Sequence, residues 1–153
     1  MPTTLNSTTL AVGSIIKIMQ GGQPLYVDQT STPNLIANGP VPAGAIDTFL
    51  ITFYLSNGTA ESKFSLQPVD MPAGSGWMPG DPTGAQKFPI EIGYPDCFIL
   101  NDLGSGAYSI QTSMASPEQG PYLHGAKASD LLVTYGWVEA GDAGQFQIKV
   151  VNS

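Results

Sequence analysis

The sequence predicts an all-β domain of twelve short strands in three similar units, and three observations carry that prediction. Asp47-Thr48-Phe49-Leu50-Ile51, Asp96-Cys97-Phe98-Ile99-Leu100 and Gly144-Gln145-Phe146-Gln147-Ile148 echo one another, their phenylalanines 49 and then 48 residues apart in a chain of 153. The 18 glycines and 13 prolines fall between short apolar runs, so no window of twelve residues keeps a 3.6-residue apolar period free of them. The runs alternate instead with a period of two, as Phe146, Ile148 and Val150 do against Gln145, Gln147 and Lys149, which gives a strand one buried and one wet face.

Cut into thirds, the chain offers four strands in each. The first third holds Ser14–Met19, Pro24–Asp28, Leu35–Asn38 and Thr48–Tyr54. The second holds Lys63–Pro68, Gly76–Met78, Phe88–Ile92 and Cys97–Leu100, and the last Ala107–Thr112, Pro121–His124, Leu131–Trp137 and Gln145–Val151. The first strand of each third carries an alternating apolar pair: Ile16/Ile18, Phe64/Leu66 and Tyr108/Ile110. The second strands match as Pro24-Leu25-Tyr26 and Pro121-Tyr122-Leu123, with Gly76-Trp77-Met78 between them the least alike. Turn formers bracket every run, among them Gly21-Gly22, Asn57-Gly58 and Gly104. Residues 1–10 read as a loose arm and 11–153 as a single domain, a length that buries a real core without staples.

Composition excludes several function classes. Charged residues make up only 11% and the net charge is −7. The five basic residues, Lys17, Lys63, Lys87, Lys127 and Lys149, include no arginine, the preferred group for phosphate and base recognition. Nucleic acid is therefore not an expected partner, nor is an anionic membrane surface. Cys97 is the only cysteine, which forbids an intrachain disulfide and favours a cytoplasmic home. Met1–Asn6 shows no basic leader, and the apolar run 11–19, broken by Lys17, is too short to span a bilayer, so neither a signal peptide nor membrane insertion is expected. Asn6-Ser7-Thr8 and Asn57-Gly58-Thr59 match glycosylation sequons, which matter only in a secretory compartment.

Catalytic chemistry finds little to stand on. A Cys–His nucleophile needs its two members in hydrogen-bond reach, whereas Cys97 and the only histidine, His124, fall in different strands of different units. One cysteine and one histidine do not make a zinc site, and the twelve acids are scattered rather than gathered in a calcium loop. Asn101-Asp102 and Glu139…Asp142 sit in glycine-bracketed turns, where such residues serve the backbone. The expectation is a protein that is not an enzyme and uses no cofactor and no metal, its function residing in loops.

Three units of four short strands, each with a phenylalanine near its end, resemble the β-trefoil family; a β-sandwich or jelly roll is the alternative fold. The resemblance implies six strands closing a barrel, six forming hairpins over one end, and the repeated aromatics packing in a shared core. It also implies one of two functions, since trefoils without enzymatic signatures are commonly lectins or protease inhibitors, as in the fungal fruiting-body proteins this acidic chain looks like. The first expectation is therefore a carbohydrate-binding lectin whose partners are glycans or glycoproteins, with repetition or a homodimer multiplying weak sites.

A sugar presents an apolar C–H face and a rim of hydroxyls, so its site needs an aromatic platform and a few fixed polar groups. Carried over from trefoil lectins similar to ricin's B chain, the platform in the last third is Tyr135 or Trp137. Glu118 is the hairpin acid there, Asp142 the turn acid and His124 an added donor. Tyr135 and Trp137 share parity with Val133 and Leu131, and core packing is the competing reading for both. The middle third offers Tyr94 with Asp70 or Asp96. The first, with only Leu35-Ile36-Ala37-Asn38 on its third strand, is expected to be a poor site. The Gln-x-Trp triplet of the ricin-like proteins is replaced by Asp47-Thr48-Phe49, Asp96-Cys97-Phe98 and Gly144-Gln145-Phe146, which makes the chain divergent. Trp77, in the Pro/Gly-rich stretch around Gly76–Pro82, is expected to be exposed and to serve as a further sugar anchor. The inhibitor alternative needs a rigid Pro-rich loop, for which Asp28–Asn34, Gly39–Gly44 and Pro68–Thr83 are candidates. Without arginine, and with three of five lysines inside strands, a trypsin-like target is disfavoured.

Overall fold

Among the described residues twelve strands form in the expected order: β1 (Ile15–Gln20), β2 (Gln23–Asp28), β3 (Leu35–Asn38), β4 (Phe49–Ser56), β5 (Glu61–Pro68), β6 (Gly76–Pro79), β7 (Phe88–Gly93), β8 (Phe98–Gly104), β9 (Ala107–Thr112), β10 (Pro121–Leu123), β11 (Thr134–Trp137) and β12 (Phe146–Asn152). The structure is a computed structural model that describes residues 10–30, 34–56, 61–79, 88–112, 121–123, 134–137 and 145–152. Among these residues the secondary structure is all β, and no helix is long and apolar enough to cross a membrane.

Six strands pair antiparallel into a closed ring, β1–β12–β9–β8–β5–β4 and back to β1. Closure removes the exposed sheet edges that would otherwise template aggregation. The other six form three hairpins, β2–β3, β6–β7 and β10–β11, joined to one another through β3–β7 and β7–β11. Each hairpin follows β1, β5 or β9 and precedes β4, β8 or β12. The hairpin layer therefore sits at the end of the ring where β4, β8 and β12 begin. The end of β4, the start of β5, the β8–β9 turn, the start of β1 and the end of β12 lie at the far end.

The alternation read from the sequence sets which side chains enter the ring. Ile16 and Ile18, Phe64 and Leu66, Tyr108 and Ile110, and Phe146 and Ile148 are all buried. Phe49, Phe98 and Phe146 open β4, β8 and β12, and each is 0% exposed in one shared core. In β4 the register shifts between Ile51 and Phe53. This bulge places one extra residue on the strand, so Thr52 and Phe53 both face outward and Tyr54 returns to the core side. The Thr52 hydroxyl bonds the Ser65 hydroxyl at 2.7 Å on the outer face. Leu10, assigned to the arm by sequence, packs against this core; the rest of that segment lies outside the described residues.

The expectation of an exposed Trp77 is overturned. Trp77 is 0% exposed, edge-on to Phe49 at 5.2 Å and to Phe98 at 5.9 Å between ring centroids. Its neighbourhood is rich in glycine and proline because the chain must pass close by, not because it is loose. A Cβ on Gly76 would lie 2.5 Å from Pro95 Cβ and 2.8 Å from the Leu66 carbonyl oxygen. Gly76→Ala is accordingly expected to destabilise the fold by about 1–3 kcal/mol, the usual cost of overpacking. Urea denaturation checks this, and an unchanged midpoint would show that the Pro95 turn yields.

Candidate functional site

At the end of β2 the sequence Asp28-Gln29-Thr30 turns the chain with its own side chains. The Thr30 N–H donates to Asp28 Oδ1 at 3.0 Å and the Thr30 hydroxyl donates to the same oxygen at 2.5 Å. This is the local bonding that makes Asp a turn former. The two donors, the hydroxyl first, hold the Asp28 carboxyl below its ordinary value of 3.8, against a small opposing effect of burial. The carboxylate is both oriented and kept ionised.

The segment before β4 comes back over this turn. The Ala45 N–H donates to the Pro42 carbonyl at 3.0 Å, closing a tight turn in which Gly44 takes φ +80°. The Val27 N–H donates to the Ile46 carbonyl at 2.8 Å, fastening the segment to β2. Between them lies a recess of about 170 Å³, with Tyr26 and Val27 at its floor, Asp28, Gln29 and Thr30 on one side and Pro42–Ala45 on the other. It is smaller than the ~300–1,000 Å³ of pockets for drug-sized ligands and in the size class of one small ring. It offers a fixed anionic acceptor, an amide and a hydroxyl opposite an apolar wall, in backbone locked by hydrogen bonds.

The structure thus opens a recess in the third of the chain expected to be a poor site. The expected platform was an aromatic on the third strand; here Pro42 and Ala43, from the next loop, form the apolar wall. The usable signal was Asp28-Gln29-Thr30, an Asp and a Thr two residues apart at the end of a strand. Of the residues carried over by resemblance, Glu118, His124 and Asp142 lie outside the described residues. Tyr135 and Trp137 fall on β11, where backbone pairs them with Leu123 and Pro121 of β10, and their side chains are outside the description. Trp77 fills the core and offers a ligand nothing. Tyr94 is 85% exposed on the turn after β7, beside Pro95, and Asp70 turns the chain after β5 with φ +72°. The Asp96 carboxylate accepts the Cys97 N–H at 2.8 Å.

The groups weighed for other chemistry are placed as follows. Cys97 is half-buried just before β8; burial first, then the Asp96 carboxylate, pushes its thiol up, with Lys63 acting the other way, so the unreactive thiol form is favoured. Among the described residues no three His, Cys, Asp or Glu side chains gather where they could share a metal ion. Of the loops considered for inhibition, Gly39–Gly44 contributes to the recess wall, and Pro68–Thr83 contains β6 and the buried Trp77 rather than one protruding arm. Positions 31–33 and 80–83 of these loops lie outside the described residues.

No protein-family profile matches the sequence, and no curated protein matches it. Among solved structures the chain is similar to a ricin B-like lectin of Macrolepiota procera, solved in complex with lactose. The match has a TM-score of 0.65 at 16% identity and covers 93% of this chain and 99% of that one. At that identity the likeness is one of fold: this all-β chain has the fold of a ricin B-like lectin.

Proposed function

We propose that this chain is a non-catalytic carbohydrate-binding protein of β-trefoil architecture. In this reading β1–β4, β5–β8 and β9–β12 are its three units, and a sugar ring sits in the recess at the end of β2. The observation that carries the proposal is the recess itself: an ionised Asp28 carboxylate fixed by Thr30 on one side and the apolar Pro42–Ala45 wall on the other. Sugar hydroxyls would donate to Asp28, and the C–H face of the ring would lie on Pro42 and Ala43. The fold shared with a lectin and the three phenylalanines opening β4, β8 and β12 support the architecture and, by analogy, the function.

A recess this small, its one described aromatic, Tyr26, nearly buried, favours weak binding of a mono- or disaccharide unit. Useful affinity would then come from several copies presented together. The unit formed by β9–β12 stands as a second sugar site through Trp137, Asp142, Glu118 and His124. The test is a glycan array probed with the labelled protein, Asp28→Asn and Trp137→Ala. Selective binding lost in Asp28→Asn places the site at β2, and loss only in Trp137→Ala moves it to β11. A blank array with folded protein would overturn the lectin reading.

A further inference from the structure

The recess at the end of β2 carries charge of one sign. Its lining is residues 26–30 and 42–45. Tyr26 and Asp28 are the ionisable side chains in that lining, and near neutral pH Asp28 is the charged one. None of the lining residues is a lysine, and the sequence contains no arginine. The described lysines, Lys17, Lys63 and Lys149, lie on the ring strands β1, β5 and β12. Two residues beyond the wall, Asp47 already pairs the Lys17 ammonium at 3.3 Å.

The geometry keeps this charge usable. The Thr30 N–H and hydroxyl both donate to one oxygen, Asp28 Oδ1. An ionised carboxylate has about four acceptor sites, so Asp28 can receive a ligand's donors without releasing Thr30. A sugar hydroxyl gives such a site one neutral donor. An ammonium in its place gives donors that also carry charge, and such charge-assisted bonds are shorter and about twice as strong as neutral ones. A carboxylate on the sugar meets the opposite case. It would face Asp28 with no cation in the lining to offset the repulsion, on a chain whose net charge is −7.

We propose that the recess is selective for amino sugars, pyranoses with a free ammonium group that meets Asp28, and rejects acidic sugars. This rests on the sugar-binding reading above and states which sugars that site takes. The C–H face of the ring lies on Pro42 and Ala43, and the ammonium donates to Asp28 across the recess. Asp28 is half-buried, so the gain over a neutral sugar is modest, about three- to fivefold in Kd at low salt. In about 1 M salt, where the screening length falls to about 3 Å, the gain disappears.

The test is ligand-observed NMR titration at about pH 6, where a sugar amine is protonated and Asp28 is ionised. Two series are compared: glucosamine, glucose and glucuronic acid, and galactosamine, galactose and galacturonic acid. Each series holds ring stereochemistry fixed while charge changes. In whichever series binds, the amino sugar is expected to bind about three- to fivefold tighter than its neutral parent, and the uronic acid at least about threefold more weakly. Ethanolamine, an amine without a ring, should not compete. Ala43→Lys places a cation on an exposed part of the wall and should erase the order, as should Asp28→Asn in whatever binding it retains. An amino sugar bound no tighter than its parent, or a uronic acid bound as tightly, would overturn the selectivity and leave the lectin reading standing. So would an order that persists in 1 M salt or in Ala43→Lys. Ethanolamine competing as well as the amino sugars would also overturn it, because charge without a ring would then suffice. Folded wild-type protein that binds no sugar of either series would overturn the sugar reading of the recess and the selectivity with it.

Discussion

Trp77→Ala is expected to lower stability by about 3–5 kcal/mol, the range for emptying a buried aromatic site. For a chain of this size each kcal/mol moves the melting temperature by about 2–4 °C, so a fall of roughly 6–20 °C should follow. The reason is position. Trp77 reaches from the hairpin layer into the ring and touches Phe49 and Phe98, the residues that open β4 and β8. Its removal leaves a cavity where the two layers meet, and the edge-to-face contacts go with it, each worth about 0.5–1.5 kcal/mol beyond area. The indole Nε1 is buried and has no hydrogen-bond partner among the described residues. An unpaired buried donor costs about 1–3 kcal/mol, so Trp77→Phe removes a penalty while it loses volume. The phenylalanine variant should therefore sit within about 1–2 kcal/mol of wild type. Thermal unfolding of both variants decides the matter. An alanine variant with unchanged melting and lost glycan binding would return Trp77 to the surface role expected from sequence.

Asp28→Asn is expected to abolish measurable sugar binding while leaving the fold intact. Asparagine keeps an oxygen for the Thr30 donors, so the turn survives, but it replaces an ionised acceptor by a neutral one. Hydrogen bonds to a charged acceptor are worth about 1.5–3 kcal/mol, and losing one from a weak site costs at least about tenfold in affinity. The pH dependence carries a sign. The Thr30 hydroxyl and N–H stabilise the charged form of Asp28, which lowers its folded-state pKa below 3.8. The contribution of this carboxylate, to the turn and to ligand, is present in full above 3.8 and is lost only as pH falls through the depressed value. Titration calorimetry should find binding flat from neutral pH to about 5 and failing only in stronger acid. A midpoint near 6 to 7 would assign the essential group to a histidine instead, and His124 is the only one.

Strand order and core were legible because their signals are local. Alternation of Ile16/Ile18, Phe64/Leu66 and Phe146/Ile148 needs no knowledge of the partner strand, and all six side chains are buried. Glycine and proline marked the turns for the same reason. The bulge was not legible: Leu50-Ile51-Thr52-Phe53-Tyr54-Leu55 is nearly unbroken apolar sequence, and only pairing with β5 shows where parity changes. That change decides that Leu55 points outward. Trp77 was misread because proximity to glycine and proline suggests a loose loop, whereas here they allow close packing against Pro95 and Leu66.

The sequence by itself determined an acidic, arginine-free, all-β chain of twelve strands with three phenylalanines at its centre, since period-two patterning and turn chemistry act over a few residues. Tertiary structure alone decided the ring closure and the burial of Trp77. It also decided the meeting of Asp28 with Pro42–Ala45. Each of these joins residues far apart along the chain, and such contacts are set by strand register and loop path, which no local pattern records.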